Sequence, residues 1–307
     1  MARFHPDSSL TADSLRNKVI LITGGANGIG ASLVECICEH GAYACVGDVA
    51  VAAGANLVER VCAASSTSAP PRAIFRETDV TDYQSILDLF DAAYKTYGRI
   101  DHVVAGAGVL EIGNWFDPDL TLESVRETPS TTVLNVNLLG TLYVARIAAV
   151  YLRQNRPSHT DRSLTLFSSV AGFKETPGMF LYQATKHGVL GLMRSLRPYL
   201  PAPAHQLRVN AVCPWMTDTE MVKNLQEGWK QAQLPVNSPL SVATIVAGLV
   251  ADPTINGKSI FVEGGRGWEI EDNLDRLEPE WLGAEPSRSL ARGQEFLALG
   301  SQWQSKL

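Results

Sequence analysis

The sequence predicts an α/β protein: a single doubly wound parallel sheet of about seven strands with helices on both faces. Three observations predict it. Short apolar, β-branched runs alternate along the chain with segments of helical spacing, and that order requires a parallel sheet covered by helices. The first such run stops at a cluster of glycines directly before the first helical segment. A chain of 307 residues with 45% hydrophobic and 19% charged content is long and apolar enough to bury a full core.

The elements follow in order. "KVILITGG" (residues 18–25) reads as a buried strand ending in glycines. "IGASLVECICEHG" has apolar residues at helical spacing at Ile29, Leu33, Val34 and Ile37, with Gly41 as its C-cap. "AYACVGD" is a second strand ending in Asp48, and "AGANLVERVCAA" a second helix. "SSTSAPP" is a loop by composition. "RAIFRETDV" is the third strand, and "DYQSILDLFDAAYKTYG" the next helix, opened by Asp82. "IDHVVAGAG" is the fourth strand and residues 131–155 a long helix. "SLTLFSSVAG" is the fifth strand, "LRVNAVCP" the sixth and "GKSIFVEGG" the seventh. Helices over residues 180–199 and "LSVATIVAGLVAD" stand between them. After Gly265 the alternation stops, and the rest carries Trp268, Trp281 and Trp303. The expected organisation is an N-terminal extension (1–16), one α/β domain (17–265), and a C-terminal tail (266–307) packed on the domain or on a neighbouring subunit.

Charge and composition exclude several classes. A net charge of −6 and a pI near 5.6 speak against a surface for nucleic acid or anionic membranes, which need clustered Lys and Arg. The polar start "MARFHPDSSLTADS" has no apolar core of a secretory leader. The longest apolar runs are read as too short to cross a bilayer, "YVARIAAVYL" being broken by Arg146. The 5 scattered cysteines read as reduced, buried thiols in a cytoplasmic protein, and Cys36 and Cys38, two apart on a helix, cannot pair on a metal.

"TGGANGIG" joins the first strand to the first helix. A diphosphate on a helix N-terminus needs backbone N–H groups unobstructed by Cβ atoms, which Gly24, Gly25, Gly28 and Gly30 supply. A Gly-rich tight turn is the bland alternative, and the strand-to-helix location speaks against it. The sheet is therefore read as Rossmann-type. Asp48 ends the second strand, about twenty residues past the loop, where a carboxylate accepts the adenosine ribose hydroxyls and repels a 2′-phosphate. No Lys or Arg stands in the loop, where Asn27 occupies the helpful position. The expected cofactor is NAD.

In "FLYQATKHGVLGL" (residues 180–192), Tyr182 is the only one of 8 tyrosines with a lysine four places on. On a helix Tyr182 and Lys186 share a face one turn apart. A protonated lysine beside a phenol favours phenolate. His187 is turned about 100° from Lys186 and reads as packing or surface. Ser168 points away from Ser169 if the strand persists and is the weaker serine. Asp101 and Asp218 read as loop or surface acids.

Taken in order, these residues resemble the classical short-chain dehydrogenases/reductases over residues 17–265. "TGGANGIG" is similar to the family's Thr-Gly-x-x-x-Gly-x-Gly loop, "DV" at Asp79 and Val80 to its adenine contact, and "NVNLLG" to the segment holding its helix asparagine, here Asn137. "SSVAG" puts Ser169 thirteen residues before Tyr182. "YQATKHGVLGLMRSL" resembles 15-hydroxyprostaglandin dehydrogenase-like members. The resemblance implies a catalytic set of Asn137, Ser169, Tyr182 and Lys186. It implies cofactor contacts at Gly24, Asn27, Gly28, Ile29, Gly30, Asp48, Asp79, Val80, Tyr182, Lys186 and Thr219, and no metal. It implies Tyr182 as general base for oxidising a secondary alcohol, with Ser169 on the substrate oxygen, and a homodimer or homotetramer through the two long helices.

Two positions depart from the pattern. "AGAG" (residues 105–108) replaces Asn-Asn-Ala-Gly and lacks the bracing amides; Trp215 stands where the family has glycine, either walling the substrate pocket or packed under the following loop. That loop (215–239) carries Trp215, Met216, Met221, Trp229 and Leu234. Such lining suits a hydrophobic small-molecule substrate (terpenoid, steroid, polyketide or lipid) of secondary metabolism, while amphipathic packing explains the same residues. The alternatives are a ketone reductase, or a non-redox cyclase or scaffold on the same fold.

Overall fold

The computed structural model describes residues 3–6, 13–65, 70–155 and 160–297. In chain order the strands are β1 (Arg3–Phe4), β2 (Val19–Thr23), β3 (Tyr43–Asp48), β4 (Ala73–Glu77), β5 (His102–Ala105), β6 (Ser163–Phe167), β7 (Arg208–Pro214), β8 (Ser259–Glu263) and β9 (Arg266–Glu269). The helices are α1 (Gly28–Glu39), α2 (Val51–Ala63), α3 (Tyr83–Tyr97), α4 (Thr132–Tyr151), α5 (Phe180–Tyr199), α6 (Gln226–Gln231), α7 (Pro239–Ala251), α8 (Glu271–Trp281) and α9 (Ala284–Leu297).

The sheet order is β1-β9-β8-β7-β6-β5-β2-β3-β4, and β2 through β8 run parallel. The chain starts β2 at the middle, winds outward to β4, then returns to β5 on the other side. The switch point therefore lies between β2 and β5, where an open α/β sheet leaves a crevice at its carboxyl end.

Neighbouring strand residues point to opposite faces. On β2, Ile20 and Ile22 meet Leu33, Val34 and Ile37 of α1 and Val246 and Leu249 of α7. Val19 and Leu21 join the other layer, with Phe90 of α3, Val144 and Ala148 of α4, and Val189 and Met193 of α5.

The strand count is nine, a correction to the expected seven. After β8 the chain turns at Gly264 (φ 53°) and Gly265 (φ 73°) and returns antiparallel as β9, pairing Glu263 with Arg266 and Ile260 with Glu269. Two consecutive positive φ values are what a tight two-residue hairpin needs. β1 adds antiparallel to β9 through Arg3 and Trp268. Strands of 2 and 4 residues are too short to show periodicity. The boundary expected at Gly265 thus falls inside a hairpin. Trp268 lies in β9, Trp281 ends α8, and Trp303 lies outside the described residues, as does part of the "SSTSAPP" loop.

A second correction concerns α4. Among the described residues it is the one helix long and apolar enough, by length and composition, to cross a membrane. Its apolar character has another cause here: Val144, Ala145, Ile147 and Ala148 are buried in the core against the sheet. Asp101 is a third correction. It lies in the loop before β5, as expected of a loop acid, but is buried: Oδ1 pairs with Arg162 at 2.5 Å, and Oδ2 accepts the Val19 N–H at 2.7 Å.

The chain after β9 is fastened to α5. Glu271 is only 2% exposed and takes Arg194 at 2.9 and 3.1 Å and Arg197 at 3.3 Å. Glu269 accepts the N–H groups of Glu271 (2.7 Å) and Asp272 (3.0 Å), satisfying two of the free donors at the start of α8.

Candidate active site

The loop between β2 and α1 is shaped by contacts that exclude side chains. A Cβ on Gly24 (φ 70°) would lie 2.7 Å from the Ala107 backbone, and one on Gly30 would lie 2.0 Å from the Gly24 carbonyl oxygen. Gly28 (φ 52°) opens α1, and a Cβ there would lie 3.0 Å from Thr219 Cγ2. The Gly loop, the β5 end and the segment after β7 thus converge at the carboxyl edge of the sheet. Asn27 is the N-cap of α1 but makes no side-chain cap, which leaves the first-turn N–H groups open to an anion. Ile29 is half-buried behind it against the α1 core.

Asp48 closes this corner. Its Oδ2 accepts the Ala26 N–H at 2.9 Å and its Oδ1 the Ala50 N–H at 3.0 Å, so the carboxylate is aimed at the loop. Asp79 is exposed and holds its own turn, accepting from Thr81 N (2.9 Å) and Oγ1 (2.8 Å). Val80 is buried against Gly140 of α4, where a Cβ would meet Val80 Cγ2 at 2.8 Å. The corner fits a dinucleotide: its glycine loop is packed too closely to carry side chains, with an uncapped helix N-terminus at one end and a carboxylate at the other.

Asn137, Ser169, Tyr182 and Lys186 come together beside it. Residues 135–140 of α4 adopt the wider π-helical turn, and Asn137 is fully buried there. Asn137 Oδ1 accepts the Val109 N–H and Nδ2 donates to the Val109 carbonyl, both at 2.8 Å; Nδ2 also donates to Thr185 Oγ1 at 3.4 Å. This amide braces the chain just past "AGAG", where the side chains of that segment cannot. A Cβ on Gly108 would lie 3.3 Å from Asn137 Oδ1 and 3.6 Å from Lys186 Nζ.

Ser169 caps the short turn Val170–Gly172, and its hydroxyl is near enough to Tyr182 to favour the phenolate. It also reaches the Pro214 carbonyl at 3.4 Å. Lys186 Nζ donates to the Phe167 carbonyl at 3.0 Å and stands 5.4 Å from the centre of the Tyr182 ring. Burial pushes Lys186 down to about 8, partly opposed by Cys213. Burial also raises the Tyr182 phenol above its ordinary value, against the lowering effect of the Ser169 hydroxyl. The sequence reading expected the lysine to lower that phenol. In the protein by itself desolvation dominates, because the ammonium is turned to a carbonyl.

The remaining candidates separate. His187 is exposed, with Nδ1 at 3.0 Å from the Gln183 carbonyl. Ser168 donates to the Lys186 carbonyl at 2.9 Å and so ties β6 to α5. Asp218 is exposed and accepts from Gln226 at 2.6 Å. Among the described residues no group of three His, Cys, Asp or Glu is disposed to hold a metal ion.

Trp215 packs edge-on against Trp229 at 5.2 Å and lies 6.3 Å from Phe261 of β8, which meets Phe173 at 5.7 Å. These half-buried rings form a row beginning just after the Ser169 turn. Met221 and Leu234 of the same loop are exposed.

Sequence reasoning missed two supporting residues. Glu111 accepts the Leu181 N–H at 3.2 Å and the Tyr182 N–H at 2.7 Å, and so caps α5. Fully buried Asn237 joins the loop after β7 to the β8–β9 hairpin, donating to Val262 (2.9 Å) and accepting from Gly265 N (2.8 Å). The one available signal for Glu111 was a lone acid in the apolar run "GVLEIGNWF".

Known proteins are similar to this chain in sequence and in fold. The profile described as short chain dehydrogenase matches residues 18–230. The short-chain dehydrogenase/reductase ascJ of Acremonium egyptiacum is 31% identical over 261 residues, which cover 85% of this chain and 83% of the relative. The 15-hydroxyprostaglandin dehydrogenase [NAD(+)] of Mus musculus is 24% identical, over 84% of this chain and 94% of that one. The fold is similar to that of 3-ketoacyl-(acyl-carrier-protein) reductase from Brucella melitensis complexed with NADH. That match has a TM-score of 0.69 and 21% identity, and it covers 82% of this chain and 98% of that chain.

Proposed function

Since the chain belongs to the short-chain dehydrogenase/reductase family, an oxidoreductase family acting on CH–OH groups with a nicotinamide cofactor, we propose that it oxidises a secondary alcohol of a hydrophobic substrate with NAD. The observation that carries the reading is the gathering of Ser169, Tyr182 and Lys186, with Lys186 Nζ 5.4 Å from the phenol ring and Ser169 acting on the phenol, next to the Gly loop. Gly24, Asn27, Gly28, Ile29, Gly30, Asp48, Asp79, Val80 and Thr219 would hold the cofactor, with Tyr182 and Lys186 at its reactive end. When bound, the cofactor supplies the hydride acceptor and, in its oxidised form, a positive charge near the phenol. Ser169 orients the substrate oxygen. Tyr182 takes the hydroxyl proton, and Lys186 favours the phenolate that does so. Asn137 would anchor a water that passes the proton out.

Asp48 supports NAD over NADP, because its carboxylate ends β3 beside the Gly loop, with Oδ2 on the Ala26 N–H, and a carboxylate there would repel a 2′-phosphate. The NAD(+) in the name of the mouse relative agrees. The Phe173, Phe261, Trp215 and Trp229 row supports an apolar, ring-containing substrate, as in the polyketides, steroids and terpenoids of secondary metabolism. We place the protein in the cytoplasm as a homodimer or homotetramer through α4 and α5. Leu139, Leu142 and Val150 of α4 are exposed on the outer face, and light scattering in solution measures that state. Residues 17–265 hold the catalytic residues in this reading, while β1 and β9, from the segments expected as extensions (1–16 and 266–307), complete the same sheet.

Ketone reduction is a second reading. It is favoured by the raised Tyr182 phenol, which stands protonated and ready to act as the acid. The test is titration with NAD and NADP, followed by a panel of hydrophobic secondary alcohols and ketones monitored by NADH absorbance. NAD-dependent turnover that falls by about 10³ or more in Tyr182→Phe is expected. Tight NAD binding with no turnover in either direction would favour a non-redox role, and preference for NADP would overturn the role given to Asp48.

A further inference from the structure

We propose that Glu111 is a positioning residue for the reaction: its carboxylate fixes the first turn of α5, and thereby the Tyr182 phenol, in place of the bracing that "AGAG" lacks. This rests on Tyr182 being the proton-transfer residue. Four observations lead to it. The N-terminal N–H groups of a helix need acceptors, and Asn, Asp, Ser or Thr at the N-cap normally provides one. The N-cap of α5 is Met179, which makes no side-chain cap. Both oxygens of Glu111 fill that gap from a distant loop, taking Leu181 N at 3.2 Å and Tyr182 N at 2.7 Å. A carboxylate also suits the positive end of the helix dipole.

The loop that delivers Glu111 is itself clamped. Two residues earlier, Val109 gives its N–H to Asn137 Oδ1 and takes Nδ2 on its carbonyl, both at 2.8 Å. Asn137 further reaches Thr185 of α5, which donates to the Tyr182 carbonyl at 2.7 Å. Tyr182 is thus held at both its N–H and its carbonyl by one network running from α4 through the post-β5 loop to α5. The ionisable groups around it are Lys186 and Cys213 near the phenol and Glu111 at the backbone. The hydrogen bonds of Glu111 go to the first turn of α5 and not to the Gly loop, so its loss should affect proton transfer more than cofactor binding.

The experiment compares wild type, Glu111→Ala, Glu111→Gln and Tyr182→Phe. NADH affinity is read by fluorescence, and kcat is measured with the secondary alcohol turned over fastest in the panel. The phenolate absorbance of NAD-saturated protein is titrated against pH, with the Tyr182 step isolated by subtracting the Tyr182→Phe curve. In Glu111→Ala, kcat is expected to fall at least about tenfold, since small misplacements at a reacting centre are costly. NADH affinity should stay within about twofold. The Tyr182 step should move to lower pH, because the helix end loses its balancing negative charge. Glu111→Gln, of the same shape and with one acceptor left, should give an intermediate kcat. It also decides the matter if the alanine variant does not fold.

An unchanged kcat, or NADH affinity lost in proportion to kcat, would overturn the proposal. A wild-type curve with no Tyr182 step, or a Tyr182→Phe protein that still turns over, would instead overturn the role of Tyr182 on which it rests.

Discussion

At the scale of single residues, the site sets burial against charge. Lys186 is 5% exposed, and burial brings it from 10.5 to about 8. A folded value below the unfolded one means that the unfolded chain binds more protons between about 8 and 10.5. Stability from this group therefore rises with pH across that window, and the penalty is fully present below it. Lys186→Met should raise the unfolding free energy at neutral pH by about 1–2 kcal/mol once the lost hydrogen bond to Phe167 is subtracted, read from denaturant melts. The gain should fade towards pH 10.5, where the unfolded lysine also loses its proton. Turnover should vanish in the same variant. Equal stability at neutral pH would show that the ammonium is not held at a cost. The tyrosine and lysine were legible because they sit four apart on one helix. Glu111 was not, since it lies 70 and 71 residues from the groups it caps. Asn137 was legible only through the family resemblance, because its partners are backbone atoms of Val109.

At the scale of elements, α5 does two jobs. Its first half carries Tyr182 and Lys186, and its second half carries Arg194 and Arg197, which grip Glu271 at the start of α8. Glu271 is buried while both arginine side chains are about a third exposed (37% and 30%), so solvent screens the pair on one side only. Glu271→Ala is expected to cost about 1–3 kcal/mol, less than a fully buried pair would. The loss should be local: limited proteolysis should release the segment after β9 earlier than in wild type, with NADH affinity unchanged. Unaltered cleavage rates would show that α8 is held by its apolar contacts. The strands and helices of the doubly wound sheet were legible from alternation, because buried parallel strands are continuous apolar runs. β9 was not, although the Gly-Gly pair before it is a hairpin signal; a four-residue strand with one Gly and two charged residues shows no apolar period.

At the scale of the whole molecule, the parallel sheet separates function from stability. Its carboxyl edge gathers the Gly loop, Asp48, Ser169 and the loop after β7. Its amino edge gathers a buried polar network at the starts of β5, β6 and β7. His102 lies 2.8 Å from Ser163 Oγ there, Arg162 pairs with Asp101, and Arg208 takes Asp161 through two bonds of 2.7 Å. These groups join three central strands, so a charge forced into them acts on global unfolding. Burial lowers His102 from 6.5 to about 3, opposed by Asp161 and Asp101 and reinforced by Arg208 and Lys18. Between those values the unfolded chain takes up a proton that the folded chain refuses, so stability falls as pH falls from 6.5 towards 3. The slope from one such group is at most about 1.4 kcal/mol per pH unit. His102→Asn, which keeps a polar partner for Ser163 and cannot take up a proton, should be less stable than wild type at neutral pH. It should lose stability less steeply on acidification, so the two curves converge or cross. Denaturant midpoints measured from neutral pH down to about pH 4 would show it. Parallel curves for the two proteins would mean that carboxylates alone govern acid unfolding, and that the amino edge contributes packing without a proton-linked term.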